Sequence, residues 1–287
     1  MTKRWMGAVL LIFACVGSRG LLAQTDSEKA EITGIAHFAF RSSDLDREVA
    51  FLGKLGFEES FTNVADGKVS QAFIKVNDKQ FIEVYPQTDP KQPLGWMHVC
   101  YESASLKNLN ALYVARGLKP TPVRTAAAGN LLFSVIDPDG REIEFTQYMP
   151  GSRQTNDRGQ HIGAGRVSDQ LVGFEAPVKD MSVAKTFASA LGFDEEKQGQ
   201  NVRLTIPADQ DLTIVLEPAG KTAALQFLLP VEDAKKTADE LRDAGLKVER
   251  RDKLVFVRDP DGNTFVLMES EKASHRSRIP FRHKSED

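Results

Sequence analysis

HFAFRSSDLDREVAFLGKLGF, residues 37–57, recurs in outline as GFEAPVKDMSVAKTFASALGF, residues 173–193. Each reads as a short strand, a polar break, an amphipathic helix and a closing Leu-Gly-Phe. In the first, Leu45, Val49, Leu52 and Leu55 fall at helical spacing, with Ser43 or Asp44 placed to cap the helix. In the second, Val183, Phe187 and Leu191 follow Asp180 in the same way. Gly56 and Gly192 stand where a left-handed residue ends a helix.

Two further copies follow the same plan: WMHVCYESASLKNLNALYVARGL (96–118) and LQFLLPVEDAKKTADELRDAGL (225–246). Short strands come after each helix. In these two copies the strands are joined by DPDG turns at 137–140 and 259–262, where Pro presets the turn and Gly supplies a positive φ. The repeating unit is therefore a strand, a helix and three strands, four times over. Paired units predict an α+β protein with two domains, 31–150 and 168–271. A polar, glycine-rich stretch, 151–167, separates them as a linker or an irregular bridge, and a basic tail without periodicity, 272–287, is expected to be disordered.

The 287 residues are 41% hydrophobic and 27% charged, as in soluble globular proteins, and the formal charge of −3 gives no footprint for nucleic acid. Lys3 and Arg4 precede an apolar run, Trp5 to Val16, then small residues. This layout is that of a signal peptide cleaved after Ala23, and it is favoured over a membrane anchor or a lipoprotein site. Removing residues 1–23 takes away Lys3, Arg4 and Arg19 and no acid, leaving a formal charge of −6. The expected mature chain is exported, periplasmic or secreted, with no membrane span. It carries Cys100 alone and so has no intramolecular disulfide.

The order and spacing of IAHFAFRSSDLDREVAFLGKLGF, FIEVYP, GWMHVCYE, DPDGREIEF and DPDGNTFVLME resemble the vicinal oxygen chelate superfamily. Its members include glyoxalase I, extradiol dioxygenases and bleomycin-resistance proteins. The resemblance covers nearly all of residues 31–271. It implies paired βαβββ modules, each pair curling a mixed sheet around a cavity with helices outside. It also implies metal ligands from the first and last strands of each module, which here are His37, Glu83, His98 and Glu144, at intervals of 46, 15 and 46 residues. Strand alternation places Ile35, His37 and Ala39 on one face, then Phe81, Glu83 and Tyr85, and then Trp96, His98 and Cys100. Phe81, Tyr85, Trp96 and Cys100 are accordingly expected to line the pocket. Two imidazoles and two carboxylates suit one divalent ion: Zn, Ni, Fe, Co or Mn.

The second domain serves as a control. Counting from its own landmarks puts Gly173, Val215, Gln226 and Val266 at the four positions, and none is a good ligand. A complete site then needs module one beside module two, within one chain or exchanged between two copies in a homodimer. His161 in the linker, and His275 and His283 in the tail, are read as solvated.

His, Glu, His, Glu looks most like glyoxalase I. The resemblance implies a lyase or isomerase that acts on a small α-oxygenated carbonyl compound, with Glu144 as the base and Glu83 as the alternative. An extradiol ring-cleaving dioxygenase on His37, His98 and Glu144 is one rival. A non-catalytic small-molecule binder is the other.

Overall fold

The computed structural model describes residues 31–220 and 225–270. The expected leader, residues 1–23, and the tail, with His275 and His283, lie outside them. The described residues make two eight-stranded mixed sheets, built alike and in sequence order.

The first sheet contains β1 (Gly34–Ser42), β2 (Glu58–Ala65), β3 (Lys68–Lys75), β4 (Phe81–Pro86), β5 (Gly95–Glu102), β6 (Arg124–Thr125), β7 (Leu131–Ile136) and β8 (Glu142–Gln147). Their spatial order is β2-β3-β4-β1-β5-β8-β7-β6. The second contains β9 (Gly173–Val178), β10 (Asp194–Gln198), β11 (Asn201–Ile206), β12 (Asp209–Pro218), β13 (Gln226–Val231), β14 (Val248–Arg251), β15 (Leu254–Arg258) and β16 (Thr264–Glu269). They take the equivalent order, β10-β11-β12-β9-β13-β16-β15-β14. In the first sheet the two modules meet where β1 runs antiparallel to β5. Module one thus stands beside module two within one chain.

Local chemistry fixes the helices. In α1 (Leu45–Lys54), Asp44 is the cap and accepts from the Arg47 N–H. In α4 (Met181–Leu191), Asp180 accepts from the N–H groups of Ser182 and Val183, and Gly192 ends the helix at φ 97. The remaining long helices, α2 (Leu106–Ala115) and α5 (Ala234–Asp243), occupy the equivalent places in the second and fourth modules. No helix among the described residues is long and apolar enough to cross a membrane.

Each curl carries its helices on its outer face, and these two outer faces pack against each other. One apolar core runs through both domains. At its centre Phe227 meets Phe38 at 5.2 Å, Trp96 at 5.7 Å and Phe265 at 5.0 Å between ring centroids. Phe51 of α1 reaches Phe265, and the Tyr113 hydroxyl of α2 donates to the Leu191 carbonyl at 3.0 Å. The inner, concave faces are left for chemistry.

Of the two readings of residues 151–167, the irregular bridge is the one the structure has. It includes a short helix, α3 (Arg153–Asn156), and touches both edges of the first sheet. On the β6–β7 side the Arg153 N–H donates to the Ala128 carbonyl, and Asn130 Nδ2 donates to Gln154. On the β2–β3 side the Arg153 guanidinium donates to the Thr62 carbonyl and lies over the Phe61 ring. The fully buried Lys75 ammonium pairs with Asp157 at 2.9 Å and with Asp78 at 3.0 Å. The linker is therefore a strap that joins the two edges of the curl. His161 was expected to be solvated. It is exposed, and its Nδ1 lies 2.6 Å from Asp157 Oδ1.

Candidate metal centre

Four neighbouring strands, β4, β1, β5 and β8, carry the four predicted ligands. Ala39 lies opposite both Glu83 and His98, and Cys100 lies opposite both His37 and Glu144. Parallel and antiparallel pairing around β1 therefore aims all four side chains at one place on the concave face. His37 Nε2 is 3.1 Å from His98 Nε2. Glu144 Oε2 is 3.2 Å from His98 Nε2 and 3.6 Å from His37 Nε2. Glu83 Oε1 is 3.2 Å from His37 Nδ1. His37, Glu83 and His98 are buried, and Glu144 is nearly so.

Burial pushes the His37 ring down to about 3, and the His98 ring to about 4 with a smaller opposing pull from Glu144. Both are neutral imidazoles with a free electron pair at ordinary pH. Burial also raises Glu83 well above the usual carboxylate range, and the Glu144 charge adds to this. Among the described residues no Lys or Arg pairs with either carboxylate; their ion-pair contacts run to the two rings. A dry pocket with two acids and two neutral imidazoles lacks a positive charge. The triangle of His37 Nε2, His98 Nε2 and Glu144 Oε2 is the size that an ion about 2 Å from each would span. The donor set fits a divalent cation. Cys100 and Glu142 also lie near enough to combine with these groups in metal-sized clusters.

Phe81, Glu83 and Tyr85 share the concave face as expected, with Ile82 and Val84 turned into the core. Cys100 is fully buried on the same side, in a small cluster with Ala36, Leu132 and Tyr148. Burial raises its thiol well above the ordinary value.

Two expectations fail, for one reason. Trp96 does not line this pocket: it packs against Phe227 and Phe174 on the opposite face. Ile35 likewise points into the core rather than sharing a face with His37. The β1–β5 ladder shifts register between Ile35 and His37, and again between Ala39 and Phe40. Each shift inserts an unpaired residue, Ala36 on β1 and Met97 on β5. Beyond each, the alternation of faces reverses.

The ladders also test the second domain. Glu175 lies opposite both Val215 and Gln226, as Ala39 lies opposite Glu83 and His98. Leu228 lies opposite Gly173 and Val266, as Cys100 lies opposite His37 and Glu144. Gly173, Val215, Gln226 and Val266 are thus the structural equivalents of the four ligands. Val266 and Leu228 form an apolar cluster with Val172 there.

Sequence reasoning missed Gln71. Its amide nitrogen donates to Glu83 Oε2 and, at 2.7 Å, to the Tyr85 hydroxyl, which stands 3.3 Å from the same carboxylate oxygen. Gln71 is a concave-face residue two strands from His37, and nothing in its sequence neighbourhood marks it.

The fold is two tandem pairs of βαβββ units, the first of which carries a His and Glu cluster that could hold a metal ion. The family model for the glyoxalase/bleomycin resistance protein/dioxygenase superfamily matches residues 34–145 and 170–267, and the chain belongs to that superfamily. No curated protein sequence matches it. Among solved structures, a catechol 2,3-dioxygenase is similar at 16% identity and TM-score 0.64, over 84% of this chain and 88% of that one. A Mn(II)-bound glyoxalase from Novosphingobium aromaticivorans is similar at 16% identity and TM-score 0.65, over 83% and 82%. An extradiol ring-cleaving dioxygenase from B. fuscum is similar at 14% identity and TM-score 0.64, over 84% and 72%. At these identities the likeness shows the fold.

Proposed function

We propose that the chain is an exported, divalent-metal-dependent enzyme of the glyoxalase I-like kind. It would move a proton between adjacent carbons of a small α-hydroxy carbonyl compound. His37, His98, Glu83 and Glu144 are the four donors for the ion. The ion, when bound, polarises the substrate oxygens and lowers the energy of an enolate-type anion.

One observation carries the proton-transfer reading: the two carboxylates are held differently. Glu83 Oε2 has two donors, Gln71 and Tyr85. Among the described residues the ion-pair contacts of Glu144 are with the two imidazoles. Glu83 is built to stay, and Glu144 is free to turn toward a substrate. As a base, Glu144 takes the proton from the carbon that bears the hydroxyl, and the electron pair left behind moves toward the carbonyl oxygen. Glu144 then returns the proton to the neighbouring carbon, while the hydroxyl proton passes to the former carbonyl oxygen, so that hydroxyl and carbonyl exchange places. The general base must reach that carbon within hydrogen-bond range, which requires a carboxylate not anchored elsewhere. Phe81, Tyr85 and Cys100 give the pocket an apolar wall that excludes water from the exchange.

The test is isotopic. Metal-loaded protein in deuterium oxide, offered a panel of hemithioacetals and α-hydroxy ketones, should place deuterium on the carbon next to the carbonyl. Glu144→Gln should stop this. Oxygen-dependent cleavage of a catechol with no such exchange would overturn the reading in favour of a dioxygenase. Export is tested separately, by whether the chain recovered from outside the cytoplasm begins after Ala23.

A further inference from the structure

A hydrogen-bond chain runs from the strap to the candidate centre. Arg153 Nη1 donates to Asn63 Oδ1 at 2.9 Å. Asn63 Nδ2 donates to Gln71 Oε1 at 2.9 Å. Gln71 Nε2 donates to Glu83 Oε2 and to the Tyr85 hydroxyl. Arg153 belongs to the linker helix, Asn63 to β2, Gln71 to β3 and Glu83 to β4. The chain therefore crosses three strands from the sheet edge inward.

A chain of two amides has two polarities, because each amide can turn end for end. Arg153 removes the choice. A guanidinium only donates, so Asn63 must give it the carbonyl oxygen and turn its NH₂ toward Gln71. Gln71 must then accept through Oε1 and turn its own NH₂ toward Glu83. With an ion bound and Glu83 ionised, the reverse polarity would set the Gln71 carbonyl against a carboxylate, two acceptors face to face, inside a buried site where such a contact is costly. The Arg153 guanidinium is itself held by the Thr62 carbonyl at 2.6 Å and by the Phe61 ring beneath it.

We propose that Gln71 is a positioning residue for Glu83, with its amide polarity set from the interdomain strap by Arg153 through Asn63. The inference rests on the metal-site reading above and deepens it. Two donors on Oε2 leave Glu83 to present Oε1 alone to His37 and the ion. They also fix the carboxylate plane, so that the two glutamates of the site divide into one that is held and one that moves.

Asn63→Asp tests this with almost no change of shape. The new carboxylate accepts from Arg153 but cannot donate to Gln71, whose amide must turn and present its oxygen to Glu83. An added negative charge alone would strengthen the binding of a cation, so weaker binding reports polarity rather than charge. The probe is Co(II), with its dissociation constant read by chelator competition and its coordination read from its visible absorption band. Asn63→Asp and Gln71→Leu should each bind Co(II) about tenfold or more weakly, with an altered band. Arg153→Lys keeps a donor-only group and should stay close to wild type. The metal-free unfolding temperature of Asn63→Asp should match wild type within about 2 °C. Wild-type affinity and band in both Asn63→Asp and Gln71→Leu would overturn the inference alone. Failure of the unaltered protein to take up Co(II) would overturn the metal reading, and this inference with it.

Discussion

His37 and His98 begin two different modules, yet their Nε2 atoms lie 3.1 Å apart across the β1–β5 ladder. With Glu144 Oε2 closing the triangle, these two neutral imidazoles form a cluster that could hold a divalent ion. Protein purified without chelator should hold about one divalent ion per chain, measured by elemental analysis. His98→Ala should fall below about half an ion. Metal at a hundred times its dissociation constant should stabilise the wild type by about 2.7 kcal/mol. For a chain of this size that is a rise of roughly 5–10 °C in unfolding temperature. The variant should show none of it.

Glu48 offers a pH test away from the centre. It lies on α1, wholly buried, and neither carboxylate oxygen has a hydrogen-bond partner. Burial, then the charges of Asp259 and Asp261 across the domain interface, push it up to about 9, against a weaker opposing pull from Arg47. In the unfolded chain it titrates near 4.5. Between these values the folded state keeps a proton that the unfolded state has released, so stability falls as pH rises through the window. Glu48→Gln keeps the shape and removes the titration. It should add on the order of 2 kcal/mol at pH 8 and close to nothing at pH 4, read from urea unfolding at both.

The aromatic centre between the domains predicts how the chain unfolds. Phe227 touches Phe38, Phe40, Trp96 and Phe265, so rings from both domains share one core. Phe227→Ala should cost about 3–5 kcal/mol. Because that core is continuous, the unaltered protein should unfold in one transition. Trp96 emission and far-ultraviolet circular dichroism should then follow the same denaturant curve. Two separated transitions would mean that the halves do not depend on one another.

Much of this is legible in the sequence. The module repeat survives in the helix spacings, the caps at Asp44 and Asp180 and the DPDG turns, because each depends on residues close in sequence. The equal intervals from His37 to Glu83 and from His98 to Glu144 survive for the same reason: duplicated modules carry equivalent strands. The bulges at Ala36 and Met97 did not show. An unpaired residue in a ladder changes no residue type, yet it turned Trp96 and Ile35 to the other face. Gln71 and Arg153 did not show either. Their roles depend on which strands lie side by side and on a strap that crosses from one sheet edge to the other. A polar residue in a strand, or in a glycine-rich linker, carries no local sign of that.

The second domain differs from the first in more than the four ligand positions. At the place of His37 it has Gly173, on β9 beside β12. A Cβ built there would lie 1.6 Å from the Thr213 carbonyl oxygen and 2.5 Å from its carbon. Both are backbone atoms, so no side-chain rotation relieves the clash, and one strand must move. Gly173→Ala should therefore destabilise by about 2–3 kcal/mol, beyond the usual effect of adding a methyl group to a strand. The same crowding forbids rebuilding a metal site. A quadruple variant with Gly173→His, Val215→Glu, Gln226→His and Val266→Glu should bind no second ion, because the first of these side chains has nowhere to stand. Differential scanning calorimetry of Gly173→Ala measures the first expectation, and Co(II) stoichiometry of the quadruple variant measures the second. Two ions per chain in a folded variant would mean that β9 and β12 can part without cost. The close approach at Gly173 would then be no bar to a metal ion in this curl.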